Sequence, residues 1–267
     1  MKHKKYDFSV YDVSEVYAGP GGQLWELLMG EQIHVGGSEQ TDVLAKKIGL
    51  DTEKNTSLLD ICSALGGPAR YLAENYGVRV VGLDITPEMV LEARKRTEEK
   101  PYADKIEYRI GSALDIPANS ETFDFVWGQD AWCYVRDKSR LVQEAHRVLK
   151  SGGTIAFTDW IWGNNTLPIE ESDFLMEFMV FPDLQTFKGY AELLESTGFT
   201  EVEKEYLGDD FANHMDIYFS ILQENKKDII KGFGEDLYQQ AENGIKAWQK
   251  AAHADQVARG MWIANKP

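Results

Sequence analysis

A chain of 267 residues with 43% hydrophobic content suits one large α/β domain, or one such domain with an elaborated cap, and can build a full core. A net charge of −16 argues against nucleic acid as a partner, since neutralising phosphates needs clustered Lys and Arg. No apolar run reaches the ~18–20 residues of a membrane helix, the basic start "MKHKKYDFSVYD" leads into no signal-like apolar stretch, and two cysteines, Cys62 and Cys133, make neither a disulfide framework nor a metal cluster, which together suit a reducing cytoplasm.

Residues 6 to 48 hold a Gly-rich kink, "YAGPGGQ", an amphipathic stretch and "GEQIHVGG". Strands and helices then alternate. "SLLDI" reads as a short apolar strand, and "PARYLAENYG" as a helix with Pro68 in its first turn and Gly77 past its end. "VRVVGLDI" is a second strand. It leads into "TPEMVLEARKRTEEK", where Thr86 is the expected N-cap, Pro87 opens the helix and Glu88 complements its dipole. "KIEYRIGSAL" and "FDFVWGQ" are two more strands. "KSRLVQEAHRVLKSGG" is an amphipathic helix with Leu141, Val142, Ala145, Val148 and Leu149 on one face, stopped by Gly152 and Gly153. "TIAFTDW" is a fifth strand, "TFKGYAELLESTGFTEVEKEYLG" a helix leading to a strand, residues 208 to 259 are mainly helical, and "GMWIANK" is a late strand.

Such alternation implies right-handed crossovers and a mostly parallel sheet with helices on both faces. Ligands of these sheets bind at the carboxyl ends of the strands. Asp60, Asp84, Ser112 and Gln129 all fall at or just after strand ends, so they are expected to line one crevice. Asp84 lies about 20 residues after the small-residue turn, the spacing at which a carboxylate accepts hydrogen bonds from two ribose hydroxyls. That spacing suits a nicotinamide dinucleotide and S-adenosylmethionine equally. The turn separates them. A pyrophosphate on a helix N-terminus calls for G-x-G-x-x-G, and the window from Cys62 through Ala64 to Pro68 lacks it. S-adenosylmethionine has no pyrophosphate, and Ala64 with Gly66 and Gly67 could pass beside its methionine portion.

The order "LLDICSALGG", "VVGLDITPEM", "GSALDIP", "FDFVWGQDAWCYVRDK", "RVLKSGG" resembles the motif series of class I S-adenosylmethionine-dependent methyltransferases over most of the chain. The resemblance implies a Rossmann-like α/β fold with a seven-stranded, mostly parallel sheet, in which "GMWIANK" is the last, antiparallel strand. It further implies an N-terminal helical lid over 1–50, a cofactor-binding core over 51–207 and 255–267, and a helical cap over 208–254. Carried over residue by residue, it places Asp60 near the methionine amino group and Gly66 as the last glycine of the loop, with Cys62 and Ala64 where relatives usually have glycine. Asp84 matches the ribose-binding acid. Ile85 packs on adenine, Ser112, Ala113 and Leu114 match its edge, and Gln129 lies under the sulfonium.

Two subfamilies are particularly similar. "LWELLMGEQIHVGG" resembles the lid of sarcosine/dimethylglycine N-methyltransferases and, less closely, that of phosphoethanolamine N-methyltransferases. "GQDAWCYVRDK" places Asp130 where a substrate-facing carboxylate is expected, and Tyr17 at the position of the lid tyrosine. Where both subfamilies continue to a histidine, this chain has Tyr134. "MEFMVFPDLQTF" lacks the arginine that phosphobase enzymes set against phosphate, so the resemblance favours methylation of a small amine or N-methyl amino acid. In that reading Asp130, Tyr17 and Tyr134 are the catalytic candidates. Trp132, Trp160 and His34 are the substrate-binding candidates, and Tyr17, Tyr134, Trp132, Trp160 and Trp162 are expected to form an aromatic cage for a methylated cation. The partner is a small-molecule acceptor, with no nucleic acid, membrane or metal, and the chain acts as a monomer or homodimer. The alternatives are phosphobase methylation, O- or C-methylation with Tyr134 as base, a non-catalytic S-adenosylmethionine-binding protein and, most distant, a nicotinamide oxidoreductase.

Overall fold

The computed structural model describes residues 6–51 and 56–267. Five parallel strands carry the alternation: β1 (Ser57–Ile61), β2 (Arg79–Asp84), β3 (Ile106–Ile110), β4 (Phe123–Gln129) and β5 (Leu149–Trp162). The two-residue β6 (Gln185–Thr186) pairs with the end of β5. After β7 (Thr200–Tyr206), the last strand β8 (Val257–Asn265) inserts antiparallel between β5 and β7, giving the order β3-β2-β1-β4-β5-β8-β7. The seven expected strands are thus present, with β6 as a short eighth.

Helices cover both faces because the central strands are apolar on both sides, as buried parallel strands must be. On one face α3 (Gly37–Lys47), α4 (Gly67–Tyr76) and α5 (Pro87–Thr97) bury Leu44, Leu72 and Val90 against Leu58, Val80 and Trp127. On the other, α6 (Lys138–Val148) and α8 (Phe187–Thr197) bury Leu141, Val142, Tyr190 and Leu194 against Val126, Ile155 and Phe157. A third apolar cluster lies outside the sheet. It joins α7 (Ile169–Met179), α9 (Gly208–Glu224) and α11 (Glu235–His253) around Phe211 and Trp248, and takes in Leu24 and Leu28 of α2 (Pro20–Met29). The short α10 (Lys226–Phe233) packs on α11, and α1 (Val10–Ala18) on α2 and α5. The edge strand β7 is mostly exposed and reads "TEVEKEY", a run of charges that discourages pairing with another chain.

Local signals hold at α4, where Pro68 lies in the first turn and Gly77 closes the helix in the left-handed region. Two differ. Helix α6 ends at Val148, and Leu149 already pairs with Phe123 in β5; Gly152, at φ +75°, bends the strand where its register slips, rather than stopping the helix. Thr86 precedes α5 but its hydroxyl bonds Ser14 of α1, leaving the helix start to the Asp84 carboxylate, which accepts from Thr86 N at 2.9 Å. Among the described residues, no helix is long and apolar enough to cross a membrane.

Candidate functional site

The carboxyl ends of β1, β2 and β4 open into two adjoining cavities of about 90 and about 310 Å³ that share Val13, Cys62, Asp84, Ile85 and Tyr134. The larger lies at the lower end of the ~300–1,000 Å³ range of small-molecule sites. The first cavity is lined by Asp60, Ser63, Ala64, Gln129, Asp130 and Tyr17 among others, and the second by Ser112, Ala113, Leu114 and Leu83. Nearly all the residues expected at a nucleoside site therefore meet at one crevice.

The turn after β1 keeps a glycine-like path without glycine. Cys62 has φ +65° and Ala64 φ +44°, in the left-handed region where a Cβ is crowded. Hydrogen bonds hold it there: Cys62 N and Ser63 N donate to Leu83 O at 2.8 and 3.0 Å, and Ala64 N donates to Asp84 Oδ2 at 2.8 Å. Gly66, expected among the cofactor-binding residues, lines neither cavity. Its φ is +72°, and a Cβ there would sit 2.2 Å from the Tyr108 hydroxyl, so its role is to turn the chain into α4 against Tyr108.

Electrostatically the crevice is acidic. Burial, with Asp84 nearby, pushes the Asp60 carboxyl up to about 8. Burial also raises Asp84, opposed by the amides of Thr86 and Ala64. Asp60 Oδ2, Ser63 Oγ and Gln129 Nε2 are buried and make no hydrogen bond among the described residues. Gln129 Oε1 accepts from both Thr41 and Trp127, which turns its amide nitrogen outward from those partners. A buried polar atom without a partner is costly, so such a cluster is matched by a ligand carrying cationic and polar groups. S-adenosylmethionine fits that description: the residues present offer carboxylates for its ammonium and sugar hydroxyls, and an apolar slot of Ile85, Leu83, Ala113 and Leu114 for a flat base.

The segment between α2 and α3 closes over this floor. Arg70 of α4 donates to Glu31 at 2.8 Å, and Gly67 lies so near the backbone of Glu31 and Gln32 that a Cβ would meet Glu31 O at 2.5 Å. Asp130, itself at φ +55°, accepts from Val35 N through Oδ2 at 2.9 Å and from Arg259 Nε through Oδ1 at 2.9 Å. Arg259 comes from β8, is fully buried, and also donates to Thr158 Oγ1 and Gln40 Oε1. The carboxylate expected to face a substrate amine is thus largely taken up in tying this segment to the sheet.

Tyr17 and Tyr134 face each other across the first cavity with their hydroxyls 2.6 Å apart and their rings edge to face. Burial raises both phenols far above their ordinary range, so both stay protonated at neutral pH. Tyr134 sits on a short 3-10 turn (Trp132–Tyr134) anchored by Asp159, whose Oδ1 accepts from Cys133 N and whose Oδ2 accepts from Tyr190. The histidine missing from the motif is replaced by a tyrosine pair. A raised phenol is also a poor base, which weighs against the O- or C-methylation alternative.

The expected aromatic cage keeps its two tyrosines at the cavity but loses its three indoles. Trp132 is fully buried beneath the sheet, stacked on Phe157 at 4.1 Å and fitted against Gly128, where any Cβ would meet its indole. Trp160 points into the helical cluster among Phe181, Phe211 and Trp248. Trp162 is buried in the same cluster. His34 lines neither cavity; its Nε2 bonds Thr41 at 2.9 Å, and burial lowers it to about 4, so it stays neutral. Arg259, Thr41 and Asp159 were missed. A lone arginine in the apolar run "VARGMWIAN" and a lone aspartate in "TIAFTDW" were the available signals, because a charge in a buried strand requires a partner.

Residues 59–157 match the family model of a methyltransferase domain. The chain is 28% identical over 251 residues to phosphoethanolamine N-methyltransferase 1 of Triticum aestivum, covering 94% of this chain and 49% of that protein. It is 28% identical over 244 residues to the glycine/sarcosine/dimethylglycine N-methyltransferase of Actinopolyspora halophila, covering 87% of this chain and 43% of that protein. It therefore spans about half the length of these curated relatives. Phosphoethanolamine N-methyltransferase 2 of Haemonchus contortus, solved with phosphomonomethylethanolamine and S-adenosylhomocysteine, superposes with a TM-score of 0.89 at 23% identity, over 98% of this chain and 60% of that one. The fold is the Rossmann-like fold of the S-adenosylmethionine-dependent methyltransferases, as the motif series implied.

Proposed function

We propose that this chain, whose residues 59–157 are a methyltransferase domain, is an S-adenosylmethionine-dependent N-methyltransferase of a small amine. One observation carries the reading: the acids Asp60 and Asp84 and the Gln129 amide line one cavity with the paired hydroxyls of Tyr17 and Tyr134. Relatives named for phosphoethanolamine, glycine, sarcosine and dimethylglycine share an amine nitrogen as acceptor, which supports the same class. When bound, S-adenosylmethionine supplies a methyl group on a positively charged sulfur, open to in-line attack.

The residues divide the work. Asp84 offers a carboxylate to the sugar hydroxyls, Asp60 and Ser63 the ammonium end, and Gln129 a neutral dipole beside the sulfur. Of the two phenols, one donates to the other, which leaves lone pairs to accept an amine N–H and aim the nitrogen. Neither phenol titrates near neutrality, so neither takes the proton from an ammonium there; the amine must arrive neutral, and kcat/KM should rise with pH until the free amine itself is deprotonated. The contacts of Arg70 and Asp130 with residues 31–35 hold that segment against the site.

The test is calorimetry of the ligand-stripped chain with S-adenosylhomocysteine, followed by release of that product in the presence of small amines. Tyr17→Phe should lower turnover at least ~10-fold while leaving S-adenosylhomocysteine affinity within about threefold. Absence of nucleoside binding would refute the reading.

A further inference from the structure

We infer that the methyl acceptor is an amine whose other substituents carry no anionic group, an amino alcohol or simple alkylamine rather than an amino acid or a phosphorylated amine. The inference rests on the amine-methylating reading above and narrows it. Among the described residues lining the cavity under Tyr17 and Tyr134 there are three carboxylates, Asp60, Asp84 and Asp130, and no Lys or Arg. The three buried cations nearby are engaged, Arg70 by Glu31 at 2.8 Å and the Leu65 carbonyl. Arg259 spans Asp130, Thr158 and Gln40, while Lys138 donates to the carbonyls of Val135 and Asp183. Arg136 lines only the adjoining cavity, on the side of Asp7, with which it pairs at 2.8 Å.

A phosphate or carboxylate in a water-poor site is held by charge-assisted bonds from Arg or Lys, or by a cluster of amides. Here the free donors are the Ser63 hydroxyl, the Gln129 amide and the one phenolic O–H of the Tyr17–Tyr134 pair not used between them, all neutral. An anionic group on the acceptor would enter beside the acidic side chains of Asp60 and Asp84, with the charge of Arg259 already matched by Asp130. The stretch after β5 gives none either: Met176, Met179, Phe181 and Leu184 are buried in the apolar cluster. The net charge of −16 adds a field that hinders the approach of anions and favours cations. The structure therefore departs from what the phosphoethanolamine- and sarcosine-named relatives would lead one to expect.

Three matched acceptors test this: N-methylethanolamine, sarcosine and N-methylethanolamine phosphate, alike except for a hydroxyl, a carboxylate or a phosphate. With the intact chain and saturating S-adenosylmethionine, S-adenosylhomocysteine release should give the uncharged compound a kcat/KM at least ~10-fold above each anion. Equal or better use of sarcosine or of the phosphate would overturn the inference while leaving the amine-methylating reading in place. Nucleoside binding with no turnover of any of the three would overturn both, and no nucleoside binding would remove the methyltransferase reading beneath them.

Discussion

The role of Asp130 separates a tether from a substrate-facing acid, and Asp130→Asn tests it at constant size. The side chain is 1% exposed and faces Val35 N–H on one oxygen and Arg259 Nε–H on the other. A carboxamide has only one oxygen, so one of those donors must meet an NH2. The Arg259 charge, with no exposed surface, is left with two neutral acceptors and Asp210 at 3.7 Å. Removing one partner of a buried ion pair costs about 3–5 kcal/mol, and the surviving acceptors place this case near ~3 kcal/mol. With an unfolding entropy of about 2.1 cal/mol/K per residue, a chain of this length has roughly 0.56 kcal/mol/K, so Tm should fall by about 5 °C. Thermal unfolding gives the number, and hydrogen exchange locates it: the Val35 amide should exchange at least ~10-fold faster. Adding Arg259→Leu should cost less than the sum of the single changes, with coupling of ~1 kcal/mol or more. A Tm within about 1 °C of the parent, additive double-variant energies and a raised KM for the amine would together refute the tether and restore Asp130 as an acceptor contact.

Three further outcomes follow from the same geometry. Gly66→Ala would combine a left-handed backbone with a Cβ 2.2 Å from the Tyr108 hydroxyl, and should destabilise by ~2–4 kcal/mol in denaturant unfolding although the residue lines no cavity; a loss under about 0.5 kcal/mol would show that α4 can start another way. Asp60 binds its proton more tightly folded than unfolded, so its contribution to ligand-free stability is full below about pH 4 and is lost as pH rises through about 8. The parent's Tm minus that of Asp60→Asn should therefore shrink from pH 5 to pH 8, and a difference that grows would reverse the sign of the argument. Trp160→Ala should cost ~3–5 kcal/mol in unfolding while leaving the amine KM within about twofold under conditions where the variant is folded, because its indole packs on Phe181, Phe211 and Trp248 rather than on the cavity; a selective rise in KM would return it to the acceptor site.

The sheet was legible because its signals are local. Pro68 and Gly77 bracket α4 within ten residues, and apolar runs ending in Asp60 and Asp84 mark strands whose carboxyl ends must face one crevice. The end of α6 was misread for a local reason too. Paired glycines after an amphipathic run can end a helix or bend a strand, and only the pairing of Leu149 with Phe123 decides between them. The indoles failed differently. Trp132, three residues from the end of β4, could point up into the cavity or down under the sheet. It goes down because Gly128 leaves a place for it on that side, a fact of tertiary packing invisible to spacing.

What spacing could not show is how the parts of the site hold one another. Left-handed backbone at Cys62 and Ala64 costs about 1–2 kcal/mol each relative to ordinary conformations. Glycine would reduce that cost but adds nothing to line the cavity. The amides of Cys62, Ser63 and Ala64 offset the strain by closing on Leu83 O and Asp84 Oδ2, so the acid at the end of β2 shapes the loop as well as facing the crevice. On the other side, Arg259 reaches Asp130 from a strand 129 positions later, and Asp130 in turn holds Val35. Asp84 therefore does two jobs, one toward the cavity and one toward the backbone that encloses it, while Asp130 is taken up by the second. A sequence motif records the first because it recurs at a fixed distance from a turn. The second depends on partners from β2 and β8 whose proximity exists only once the sheet has closed.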